Sequence, residues 1–143
     1  MAKANPAAYD STPESCGIST AWAVPCAFVA AMLAGFAIGR TGIALPGAEP
    51  MIAASVLVLG LFIATRTQLP LGAGMLVAGV FAVSHGFAHA TEIPQEAGAL
   101  SYAAGFAAAT IALHLLGLGL GRTLHARLAG IPIALAGAWM LFA

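Results

Sequence analysis

Charge is what this chain has least of. Lys, Arg, Asp and Glu make up 7% of 143 residues, five basic against five acidic, and Lys3 is the one lysine. So sparse and balanced a set excludes the clustered cations that a nucleic-acid surface needs. Cysteine is scarce as well. Cys16 and Cys26 form neither a CxxC pair nor a Cys/His zinc spacing, and neither placement suggests a disulfide. Helices with a polar stripe are missing, which excludes a soluble all-α bundle. Alternating ten-residue segments are missing too, which excludes a β-barrel. No nucleophile with its base, no P-loop and no dinucleotide fingerprint is present, so nothing in the chain points to an enzyme.

Apolar residues fill the space. They make up 61% of the chain and raise the mean hydropathy to +0.97. From residue 18 onward the formal charges are Arg40, Glu49, Arg66, Glu92, Glu96, Arg122 and Arg127, and the runs between them are of membrane-spanning length. The sequence predicts an all-α integral membrane protein, a bundle of five transmembrane helices over residues 20–39, 50–65, 69–90, 97–121 and 126–143. The second is short, and Arg66 extends it by snorkelling.

Lys3, Arg66, Arg122 and Arg127 fall on one side of such a bundle and Arg40 on the other. The positive-inside rule therefore places the N-terminus in the cytoplasm and the C-terminus outside. Trp22 and Trp139 suit interfacial anchors near opposite boundaries. Residues 1–17 are polar and lack the basic segment and apolar core of a signal peptide, so they read as a cytoplasmic tail. Residues 18–143 form one membrane domain without an internal repeat. Cys26 reads as a small buried apolar residue of the first span.

Small residues mark the expected helix contacts. Gly35 and Gly39 form one GxxxG pair and Gly117 and Gly121 a second, with looser versions at Gly74/Ala78 and Gly105/Ala109. A chain with 17 glycines produces such pairs often, so each is weak by itself. Pro25 and Pro132 fall within spans, where each kinks its helix or occupies a first turn. Pro50 and Pro70 suit first turns, where a missing N–H costs nothing. Short loops predict that consecutive helices pack as antiparallel neighbours.

The chemistry is concentrated in residues 81–94, FAVSHGFAHATEIP. His85 and His89 stand one turn apart on one helix face, and one further turn brings Glu92 to that face before Pro94 ends the helix. Ionisable groups are costly in hydrocarbon, and two imidazoles with a carboxylate suit nickel, zinc or copper. Hydrogen bonding between helices explains the same histidines equally well. Glu49 reaches the same membrane level, where it either caps the second span through the helix dipole or adds a ligand. Ser55 reads as a packing hydroxyl. By helical rise His114 lies on the order of 10 Å from His85 in depth. That suits a second station on a path, or a ligand for a pigment or haem, better than co-ligation of one ion. His125, between Arg122 and Arg127, reads as solvated.

Three blocks resemble the HupE/UreJ family of membrane proteins, which is associated with nickel-dependent hydrogenases and ureases and regarded as metal permeases. They are residues 45–61 (LPGAEPMIAASVLVLGL), 83–94 (VSHGFAHATEIP, similar to the family's HGxAHGxExP with Ala90 at the second glycine) and 102–121 (YAAGFAAATIALHLLGLGLG). A weaker likeness covers residues 28–39. The resemblance implies a bacterial inner-membrane protein that handles nickel, or else cobalt or copper. It leaves His85, His89 and Glu92 as ligands, with His114 and Glu49 as weaker ones. Family members begin with a secretory signal and a span carrying HPxxGxDH. Neither is seen here, so the chain is expected to be a shortened form whose first span corresponds to the family's second.

Two functions follow. In one, a divalent metal is captured by His85, His89 and Glu92 and passes inward by way of His114. Neutral imidazole is the binding form, so uptake weakens below about pH 6. Five spans then call for a homo-oligomer to enclose a path. In the other, the chain is a non-transporting accessory subunit of a larger respiratory or photosynthetic membrane complex, its histidines structural or ligating a pigment or haem.

Overall fold

The structure is a computed structural model that describes residues 15–94, 97–120 and 126–143, with side chains from residue 21 in the first helix and residue 128 in the last. Five helices account for nearly all of it: α1 (Ser15–Gly39), α2 (Ala48–Thr65), α3 (Leu71–Thr91), α4 (Ala99–Leu120) and α5 (Ala126–Phe142). The described residues contain no strand. Lys3, Glu96, Gly121, Arg122 and His125 lie outside the described residues, as does the tail before Ser15.

Most boundaries have a local cause. After α1 the Thr41 hydroxyl donates to the Ile38 carbonyl at 2.7 Å, and Gly42 turns the chain at φ 79°. Gly47, at φ 85°, admits the chain to α2, and Pro50 sits in that helix's first turn. Arg66 ends α2 in the left-handed region, where the backbone N–H groups of Arg66 and Thr67 reach the Ile63 and Phe62 carbonyls at 3.2 and 3.0 Å. Pro70 caps α3, which stops at Thr91, three residues before Pro94. Pro25 and Pro132 fall inside α1 and α5 rather than in their first turns.

Four helices are long and apolar enough to cross a membrane, and the apolar stretch of α5, Leu128–Phe142, is shorter. Large apolar side chains such as Leu113, Leu116 and Leu135 lie exposed on the outside. In a bilayer that surface faces acyl chains, so what holds the helices together is close packing and dispersion.

The pairing is not sequential. α1 packs on α3 and α2 on α5; α2 and α3 touch more lightly, as do α1 and α4. The order across the molecule is therefore α4–α1–α3–α2–α5. The expected packing of consecutive helices holds substantially for α2 and α3 alone, because the surfaces that admit close backbone approach lie on non-consecutive helices. A Cβ on Gly35 would strike the Val83 carbonyl, and one on Gly86 the Met32 carbonyl, so α1 and α3 run backbone against backbone. A Cβ on Gly39 would fall 2.6 Å from that of Ala90 in the same seam. Between α2 and α5, Gly60 abuts Ala134, Gly130 abuts Ala64 and Gly137 abuts Leu57. Gly117 is different: a Cβ there would find nothing within 4 Å.

Candidate functional site

His85 and His89 are both half-buried on the side of α3 that meets aromatic rings of α1 and α4. His85 Nδ1 lies 3.0 Å from the Phe81 carbonyl. A carbonyl only accepts, so Nδ1 carries the proton and Nε2 keeps a lone pair when the ring is neutral. His114 on α4 repeats the arrangement, with Nδ1 donating to the Thr110 carbonyl at 2.8 Å. His89 is held by rings instead. It stacks on Phe106 at 4.7 Å between centroids and meets Tyr102 edge-on at 6.2 Å, while its Nδ1 is buried with no hydrogen-bond partner.

The rings continue across the helices. Phe36 of α1 packs on Phe106 at 5.1 Å and on Tyr102 at 6.4 Å. Phe28, two turns earlier on α1, lies 6.1 Å from the His85 ring and 5.3 Å from the His114 ring. Between them Met32 is buried, and its sulfur takes the Thr110 hydroxyl at 3.7 Å. Residues 28, 32 and 36 of α1 thus face residues 102, 106, 110 and 114 of α4. His85 and His114 thus both contact one ring, that of Phe28.

Glu92 stands at the end of the same helix. α3 ends at Thr91, and Glu92 is its C-cap, its backbone N–H donating to the Ala88 carbonyl at 3.0 Å. The carboxylate lines a cavity of about 300 Å³ between the end of α3 and the start of α2, together with Glu49, Leu45, Phe87 and Thr91. Both glutamates are exposed. The structure brings Glu49 to Glu92, and His85 and His89 to the aromatic seam. Among the described residues no three of His, Cys, Asp and Glu gather closely enough to hold an ion. Ser55 is buried and donates to the Ile52 carbonyl at 2.6 Å.

His114 also borders two cavities. The larger, about 350 Å³, is lined by Trp22, Pro25, Cys26, Val29 and Ile111 as well, and its neighbour of about 330 Å³ by Pro25, Leu113 and Gly117. Phe28, Phe36, Tyr102 and Phe106 were not singled out from the sequence, although a signal was there. Phe28 and Phe36 are eight residues apart, and Tyr102, Phe106, Thr110 and His114 repeat every fourth residue, which puts each set on one helix face.

Comparison with known proteins agrees with the membrane architecture. The model of the family described as "HupE / UreJ protein" matches residues 14–142. Protein HupE of Rhizobium leguminosarum bv. viciae is 42% identical over 132 residues, which covers 87% of this chain and 69% of that protein. No solved structure matches the chain.

Proposed function

The chain belongs to the HupE/UreJ family, and from that membership we propose that it is a permease for a divalent transition metal, nickel first, in a bacterial inner membrane. The family is an accessory and transport type rather than an enzyme type. His85 and His89 are the proposed metal ligands, with Glu92 and Glu49 drawing cations to the nearby helix ends and His114 serving as a later station. The N-terminus is cytoplasmic in this reading, so His89 and the two glutamates stand at the outer level.

One observation carries it. Both α3 histidines face the α1–α4 side of the bundle, and His85 is fixed with Nε2 as its free nitrogen. That is the atom a soft-to-borderline cation takes, and hydrogen bonding of the other ring nitrogen is how proteins orient such a ligand. Two imidazoles do not complete a coordination shell. Water completes it on capture, or a second copy supplies ligands.

The test is elemental analysis of protein purified in mild detergent and equilibrated with nickel. Stoichiometric nickel that disappears in the His85→Ala/His89→Ala variant supports the reading. Nickel held equally by that variant, or not held by the native protein, sinks it.

A second reading is favoured by α4, whose described residues are nowhere fully buried and whose Gly105, Gly117 and Gly119 face open space. A helix so sparsely packed suits a subunit seated against another copy or a larger membrane complex, with His114 structural or ligating a pigment or haem. Native mass spectrometry of the same preparation separates the two. A metal-poor chain bound stoichiometrically to a large partner favours the second.

A further inference from the structure

α1 meets its two neighbours differently. Gly35 lets α3 approach backbone to backbone, whereas Phe28 and Phe36 hold α4 off at ring distance. The space left between α1 and α4 forms two cavities, of about 350 and 330 Å³, that Pro25 and His114 both line. Trp22, Cys26, Val29 and Ile111 wall the larger one, whose lining is almost wholly apolar. Leu113 and Gly117 wall the smaller, which is the more polar of the two. All of these residues lie in helices long and apolar enough to span a membrane, so a ligand reaches them from the bilayer.

We propose that these cavities hold a lipid-soluble phenol, the chemical class that includes the reduced membrane quinones, with its hydroxyl on His114 and its apolar body along Trp22. The imidazole sets the polarity of the ligand. Nδ1 of His114 is engaged by the Thr110 carbonyl at 2.8 Å, so in the neutral ring Nε2 offers a lone pair and no proton. A ketone, an ester or a quinone carries acceptors alone and cannot pair with it. A hydroxyl can. Water is a poor occupant, because it needs about two to four polar partners and the lining offers little beyond this nitrogen. Haem is a poor one too, since no Lys or Arg among the described lining residues answers its carboxylates. The larger cavity is near the small end of the usual range for ligand sites, about 300–1,000 Å³, which suits one ring and part of a tail. Metal capture at His85 and His89 does not depend on this site. His114 has a single free nitrogen, however, so a phenol held there and a cation passing there exclude each other.

Trp139→Phe leaves Trp22, on the wall of the larger cavity, as the one indole of the chain. The full chain carrying that substitution is placed in phosphatidylcholine nanodiscs. It is titrated with para-nonylphenol and, separately, with the methyl ether of that phenol, which has the same body and no O–H. Trp22 emission is read against the mole fraction of each probe in the bilayer. Both probes are expected to give a saturable change, the phenol at about fivefold lower mole fraction, the worth of one hydrogen bond. His114→Phe keeps a ring against Phe28, removes the acceptor and is expected to bring the two probes to equal affinity. Equal affinities with His114 in place would mean that the cavities take any apolar chain, which overturns the proposal. So does emission that never saturates, or a preference for the phenol that survives His114→Phe. The comparison of phenol with ether decides even when His114→Phe does not fold. Nickel retention is read separately, so a chain that prefers the phenol and holds no nickel ends the permease reading alone.

Discussion

His89 lies flat on Phe106, ring centroids 4.7 Å apart and planes within 5° of parallel. The stack joins α3 to α4, two helices that share no broad interface among the described residues. α4 is thus positioned by ring contacts with His89, Phe36 and Phe28, whereas α1 and α3 are joined by backbone approach. As a proposed metal ligand, His89 could not turn toward an ion without loosening α4, so capture would be coupled to movement of that helix.

Removing the stack tests this. Phe106→Ala is expected to lower stability in detergent by about 1.5–4 kcal/mol, because it removes ring contacts with His89, Phe36 and Tyr102, each worth about 0.5–1.5 kcal/mol. Phe106→Tyr is expected to stay within about 0.5 kcal/mol. Thermal unfolding followed by circular dichroism reads both, and equal midpoints for Phe106→Ala and the native chain would show that α4 is held by something else.

Gly86 and Gly117 make opposite predictions from the same substitution. A Cβ on Gly86 would fall on the Met32 carbonyl and 2.9 Å from the Phe36 nitrogen, both backbone atoms that cannot swing away. Gly86→Ala is therefore expected to cost about 1–3 kcal/mol, the range for overpacking. Gly117→Ala meets open space and is expected to change stability by less than about 0.5 kcal/mol. The same unfolding assay checks the pair, and indistinguishable midpoints would dissolve the α1–α3 seam as described.

The contrast between those two glycines shows what the sequence could and could not reveal. Helix ends were legible because Pro50, Pro70 and Pro94 and the scattered charges mark them locally. Pairing was not. Gly117 and Gly121 make a full GxxxG and Gly117 abuts nothing, while Gly60/Ala64, Gly86/Ala90 and Gly130/Ala134 are looser motifs that lie at the real crossings. The spacing is the same, and only the neighbouring helix tells them apart. The histidine face was legible from its i, i+4 spacing. Glu92 follows as the C-cap of α3, still with a helical backbone, and the cavity it lines is shared with Glu49 and not with the histidines.

Glu49 and Glu92 share a cavity at the helix ends, and their charges act at range. Glu49→Gln and Glu92→Gln are each expected to slow the initial rate of nickel capture at low ionic strength. The effect should shrink between 0.01 and 0.1 M salt, as the screening length falls from about 30 to about 10 Å. Stopped-flow measurements on the detergent-solubilised protein check it. Slowing that is insensitive to salt would make the glutamates direct ligands instead.

Arg66 holds φ 55° at the end of α2, a conformation that costs a side chain with Cβ about 1–2 kcal/mol. Arg66→Gly is expected to relieve part of that in detergent, and Arg66→Val to worsen it by about 1 kcal/mol because branching at Cβ crowds the left-handed region. Should Val raise the unfolding midpoint above Gly, the strain assigned to this turn is wrong.

The pairing of α2 with α5 also sets a timetable. Gly60 and its neighbours are synthesised and inserted well before the partner that fills them, and about 60 residues separate the end of α2 from the start of α5. At about 5–20 residues per second the ribosome takes several seconds to cover that distance. Throughout that interval α2 waits in the bilayer with most of its helix contacts unmade, open to the insertion machinery or to a neighbouring nascent chain.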